Sequence, residues 1–159
     1  MNMKIIKKYR ALLIIALAAV AGIFFSFYRM YHDDIKALNR FMASYDSFER
    51  IISFHTDRGW SYALDKAGEA VIELQARASL RLSSLIRSEA ELMDQAREVA
   101  DLSRRELDSL RAVDALVRSR NPDQDEVAKE DELEKECSLL RGKRKAAYVR
   151  FRELAGLKD

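Results

Sequence analysis

One proline, one cysteine, two histidines and five glycines are spread through 159 residues. A β-sandwich or barrel turns about every 8–12 residues and draws on glycine and proline to do so, so the chain is read as all-α. A single cysteine can neither close a disulfide within the chain nor supply a multi-cysteine metal site. Neither His32 nor His55 has a second histidine or cysteine at ligand spacing, and no metal is expected. A glycine-rich phosphate loop, a nucleophile elbow and a metalloprotease motif are all missing. Acidic pairs such as Asp33-Asp34 and Asp131-Glu132 are adjacent, and on a helix they diverge by about 100°, so they do not face each other as catalytic carboxylates do. The expectation is a non-enzymatic protein with no catalytic residue, no cofactor and no evident small-molecule substrate.

Charge of one sign is missing where it matters. Residues 1–28 carry Lys4, Lys7, Lys8 and Arg10 with no acid, which leaves 24 basic against 26 acidic residues in the rest of the chain. Nucleic acid is therefore not an expected partner, because phosphate binding needs a concentrated basic surface.

What is present begins with an uncharged stretch. Ala11 to Tyr28 spans 18 residues, about 27 Å as a helix, close to the hydrocarbon thickness of a bilayer. Four positive charges precede it, whereas Arg29, Asp33, Asp34 and Lys36 after it cancel. The expected organisation is a cytoplasmic basic tail over 1–10, a transmembrane signal anchor over 11–28, and an extracytoplasmic helical domain over 29–159. Tyr9, Tyr28 and Tyr31 fall where interfacial aromatics belong. The competing reading is a removable signal peptide, since Ala19-Val20-Ala21 before Gly22 has the small-residue pattern of a cleavage site. Against cleavage, the apolar run continues through Ile23, Phe24, Phe25 and Phe27. Within the span Ala18, Gly22 and Ser26 recur every four residues, making one face small enough for a second membrane helix to pack closely.

Beyond Arg29 the apolar residues keep helical periodicity. Ile35, Leu38, Met42, Tyr45 and Ile52, with a neighbouring row of Phe41 and Phe48, mark a helix over about 29–55, which weakens at Thr56-Asp57-Arg58-Gly59. A second helix over about 61–119 has the seven-residue column Leu64, Val71, Ala78, Leu85, Leu92, Val99, Glu106 and Val113, apolar at every position but Glu106. Asn121 and Pro122 are a helix-start signal for a third helix over about 122–155. There Leu133, Cys137, Leu140, Ala147, Phe151 and Leu154 alternate by fours and threes, with Arg144 the one intruder. Two geometries suit an anchored chain: a kink near Gly59, or a break of the second helix near Ser83-Ser84. A full hairpin with an unbroken second helix would drive its charges through the lipid. The kinked geometry is the one expected, an elongated rod or coiled-coil-like bundle of about three helices.

The expected partners are membrane lipid and either a second copy of the chain or another helical protein. Cys137 is a candidate for an intermolecular disulfide in an oxidising exterior. The third helix is charge-polarised, with eight acids against Lys129 and Lys135 over 123–136 and six basic residues without an acid over 141–152. That polarity suits either antiparallel pairing with a partner or a solvated helix face. Function is read as presentation of a helical exported domain for self-association or for an envelope partner. The alternatives are a secreted helical bundle cleaved between Ala21 and Gly22, and a membrane-anchored sensor. In layout alone, a membrane helix followed by a helical exported rod, the chain is also similar to phage inner-membrane spanin subunits.

Overall fold

A computed structural model describes residues 3–53, 60–79, 82–83, 89–118 and 124–156, with side chains described from Ile14 onward in the first helix and from Val127 in the last. Four helices account for nearly all of it: α1 (Met3–Ser53), α2 (Trp60–Ala78), α3 (Glu89–Val117) and α4 (Gln124–Leu154). Among the described residues there is no strand.

α1 divides into two halves of different character. From Ile14 to Asp33 every side chain is exposed, and from Asp34 to Ser53 one face is buried in a helical bundle. Within the α1 segment beginning at Ile14, an 18-residue window has a mean hydropathy of 1.7 and none of it is buried, so by length and composition this helix can cross a membrane. The end of the bundle at which the bare half enters is called proximal below, and the opposite end distal.

The bundle is antiparallel throughout. Phe48 and Ile52 of α1 share a distal core cluster with Leu64 and Val71 of α2 and Leu107 and Leu110 of α3. Leu38 and Phe41 share a proximal cluster with Leu74, Ala78, Leu92, Val99, Leu140 and Phe151. Phe41 and Phe151 lie 4.7 Å apart in a tilted pair, and Tyr45 stacks on Tyr148 at 3.6 Å, so aromatic contacts clamp α1 to α4. Each buried phenylalanine contributes about 1.5–3 kcal/mol by leaving water. A β-carbon at Gly68 would lie 2.5 Å from the tip of the flexible Arg111 side chain of α3, which can move aside.

The expected helix over 61–119 is in fact two, and the expected kinked rod is a folded bundle of four. The physical reason is length. The bundled half of α1, residues 34–53, is about 30 Å long and α2 about 28 Å, whereas an unbroken helix over 61–119 would be about 88 Å and would outrun its partner. The chain instead leaves the helix after Ala78, and the connection is tied down by Asp34. The Ser83 N–H donates to Asp34 Oδ1 at 3.0 Å and the Ser83 hydroxyl donates to Oδ2. Serines compete well for such local backbone alternatives to a helix. Ser79, Ser83, Ser84 and Ser88 crowd this connection, and Ser88 with Glu91 has the spacing of a capping box.

α3 and α4 run on past the distal ends of α1 and α2. Beyond Leu110 of α3, and before Cys137 in the described side chains of α4, no residue is buried. At its other end α4 closes on a glycine, with Gly156 at a φ of 72° and the Gly156 N–H donating to Glu153 O at 3.1 Å. Gly59, Asn121 and Pro122 lie outside the described residues.

Candidate functional site

Three features stand apart from ordinary apolar packing. The first is the bare half of α1. Ala18, Gly22 and Ser26 do share one of its faces, where a β-carbon on Gly22 would meet nothing within 4 Å. The Ser26 hydroxyl donates to Gly22 O at 2.9 Å, so it is satisfied within its own helix and presents no free donor. Ile23, Phe27 and Met30 flank the same shallow groove. Phe24 and Phe25 are 75% and 67% exposed. A contiguous exposed apolar patch of this kind is uncommon on a protein surface that faces water.

The second feature is a charged layer inside the bundle. Arg144 of α4 and Glu106 of α3 both have side chains 0% exposed, and Arg144 Nε donates to Glu106 Oε2 at 2.6 Å. Arg141 Nε donates to the other oxygen, Oε1, at 2.8 Å. Glu49 of α1 adds a further carboxylate, 2.5 Å from Arg144 Nη2 and 3.0 Å from Lys145 Nζ. The Arg144–Glu49 contact is close but poorly aligned, and neither Nη1 nor Nη2 of Arg144 has a well-formed hydrogen bond. Two ring faces compensate, since the guanidinium carbon lies 5.2 Å from the Tyr45 centroid and 5.1 Å from that of Phe48. Burial opposes ionisation of Glu49, but hydrogen bonds and charge from Lys145 and Arg144 outweigh it, and its carboxyl sits below the ordinary value. For Arg144, burial lowers and the charge of Glu106 raises, and the net direction is upward, so it stays a cation. Burial pushes the Tyr148 hydroxyl up to about 12.

Both members of the central pair are the anomalies of the sequence. Glu106 is the charged position in an otherwise apolar seven-residue column, and Arg144 is the intruder in the fours and threes of the last helix. Each anomaly answers the other. The charge polarity of α4 has the same internal explanation. Of the six basic residues over 141–152, Arg141 and Arg144 turn to Glu106, Lys145 to Glu49 and Arg150 to Glu91. Sequence reasoning missed this layer because each helix was read alone.

The third feature is Cys137, which lies 5% exposed in the distal core cluster beneath an open groove of about 420 Å³ lined by Trp60, Leu110, Val113 and Arg141. Burial, assisted by the charge of Glu106, pushes its thiol above the ordinary value. At 5% exposure the thiol is poorly presented to a second copy in the folded chain. The thiol is expected to react with a maleimide at least tenfold more slowly in the folded chain than in urea, and equal rates would contradict this placement. Cys137 is not brought near Ala18, Gly22 or Ser26. His32 stacks on Tyr28 at 6.2 Å, and His55 lies outside the described residues. Among the described residues no group of three or more histidine, cysteine, aspartate or glutamate side chains could hold a metal ion.

No protein-family model, no curated protein and no solved structure matches this chain.

Proposed function

We propose that the protein is a non-enzymatic, single-pass membrane protein that holds a four-helix bundle at the outer surface of the cell membrane for assembly with itself or with another helical protein. One observation carries this reading: the apolar half of α1 is bare over its described side chains and continues without interruption into the bundle. A surface of isoleucine, leucine and phenylalanine on all sides of a helix is stable in lipid and costly in water. The basic residues before the span and their balance after it orient the N-terminus to the cytoplasm. The face of Ala18, Gly22 and Ser26 lets two such helices approach closely within the bilayer. Coiled-coil-like packing of α3 and α4 gives the exported part its stiffness.

The bundle starts at Asp34, so removal of the first 21 residues would leave its core intact. It would also leave Ile23, Phe24, Phe25 and Phe27 on a helix in water, which weighs against the secreted alternative. The test is fractionation. The full chain is expected to stay in the membrane pellet after carbonate at pH about 11, with the bundle digested by protease added outside spheroplasts. Release by carbonate, or a mature N-terminus at Gly22, would sink the anchored reading.

A further inference from the structure

α4 carries two apolar seams, and only one is used. The inner seam, through Cys137, Leu140, Ala147 and Phe151, packs into the bundle. The outer one runs through Leu139, Gly142, Ala146 and Val149, alternating by threes and fours, and every member is exposed. Leu139 and Val149 are 58% and 55% exposed, and a β-carbon on Gly142 would meet nothing within 4 Å. Lys135 and Glu153 continue the seam at either end. An alternation of this kind over several turns is the pattern by which one helix seats on another.

We infer that this outer seam of α4 is a docking surface for α4 of a second copy of the chain, running antiparallel. Charge selects the occupant and its direction. In a parallel, in-register pair Lys135 would meet Lys135, Glu153 would meet Glu153, and Lys145 would approach Arg150 of the other chain, all of them repulsive, while Ser138 beside Lys143 adds no attraction. Centred between Gly142 and Ala146, an antiparallel pair sets Leu139 on Val149 and Gly142 on Ala146, twice each by symmetry. Lys135 then meets Glu153, and Glu136 meets Arg150, which within its own chain lies 3.1 Å from Glu91 and 3.5 Å from Glu153 and so adds a further carboxylate to an existing cluster. The small residues at the centre allow the two helices to approach closely. Lys143 meets its own copy near the axis, where its long side chain reaches water, and Lys145 is already held by Glu49 at 3.0 Å. Chains paired this way send their N-terminal helices out of opposite ends. Where those helices are anchored, the contact joins chains rooted in two facing membranes, a role beyond assembly within one bilayer.

The test uses the full chain with Cys137→Ser in detergent micelles. Its mass by light scattering is expected to double over a concentration range of about a hundredfold, and Leu139→Lys with Val149→Lys is expected to keep it monomeric with unchanged helix content. Because both side chains are exposed, these substitutions leave the fold in place. A chain carrying Leu139→Cys, mixed with one carrying Val149→Cys, is expected to form a mixed crosslink in at least fivefold excess over either self-crosslink. Leu139→Cys crosslinking chiefly to itself would overturn the antiparallel assignment. A monomer at every concentration, or a dimer that survives the double lysine variant and so pairs through α1, would overturn the docking surface itself while leaving the anchored reading standing.

Discussion

Arg144→Ala is expected to destabilise the bundle by about 3–5 kcal/mol, the loss seen when one partner of a buried ion pair is removed and the other stays behind without its counter-charge. Glu106 has no route to water, since its side chain is 0% exposed, and its remaining donor Arg141 supplies one hydrogen bond of the two. In a bundle of this size the loss lowers the melting temperature by about 10–20 °C. Urea unfolding of the full chain in mild detergent, followed by circular dichroism, measures it. The informative comparison is the double variant Arg144→Leu with Glu106→Leu, which removes both charges and keeps the volume filled. It is expected to recover most of the lost stability or exceed the parent, because the desolvation cost of the pair disappears with the pair. Double and single variants equally damaged would mean that the layer acts through packing and not through charge.

The same layer sets a dependence on pH. Glu49 has its folded carboxyl below the ordinary value, so the unfolded chain binds a proton there before the folded chain does. Its contribution to stability is full above the unfolded carboxyl range and is lost as pH falls through the folded value. The parent therefore loses stability on acidification, and Glu49→Gln is expected to flatten that part of the curve. Glu49 is 25% exposed, which keeps the effect smaller than that of the Arg144 substitution.

The helical class, the apolar N-terminal helix and the inward faces of three segments were all legible from periodicity, because a buried helical face repeats wherever it packs. Leu64, Val71 and Ala78 are buried on α2, and Leu92, Val99 and Glu106 on α3, yet they belong to one uninterrupted column in the sequence. That continuity favoured the unbroken helix over the break near Ser83-Ser84, which is the geometry found. Ala78 and Leu92 are two heptads apart, so a reversal inside the interval leaves the column in phase. The signal was in the polar residues: serines recurring around the connection, and Glu91 three residues after Ser88. The Asp34–Ser83 tie spans 49 residues and has no local signature. Likewise Glu106 and Arg144 each looked like a blemish in one helix. Only the antiparallel pairing of α3 with α4 turns two blemishes into one ion pair.

Leu17→Arg combined with Val20→Arg is expected to remove the chain from the membrane while leaving the bundle as stable as before. Ten leucine, isoleucine, valine and phenylalanine residues lie between Ala11 and Tyr28. At the centre of a span each favours insertion by about 0.3–0.6 kcal/mol, so together they supply about 3–6 kcal/mol. Two arginines near the middle cost about 5–7 kcal/mol, enough to reverse the sign. The bundle is indifferent to these positions, because every side chain from Ile14 to Asp33 is exposed and the packed core begins beyond them at Leu38. Two measurements on the same variant separate the roles of the two halves of α1. Carbonate pelleting reports the span, and the urea midpoint of the helical signal reports the bundle. A variant that still pellets would show that something other than this helix holds the chain to lipid. One that leaves the membrane but also unfolds would show that the bare half packs against protein, and the division of α1 at Asp34 would have to be abandoned.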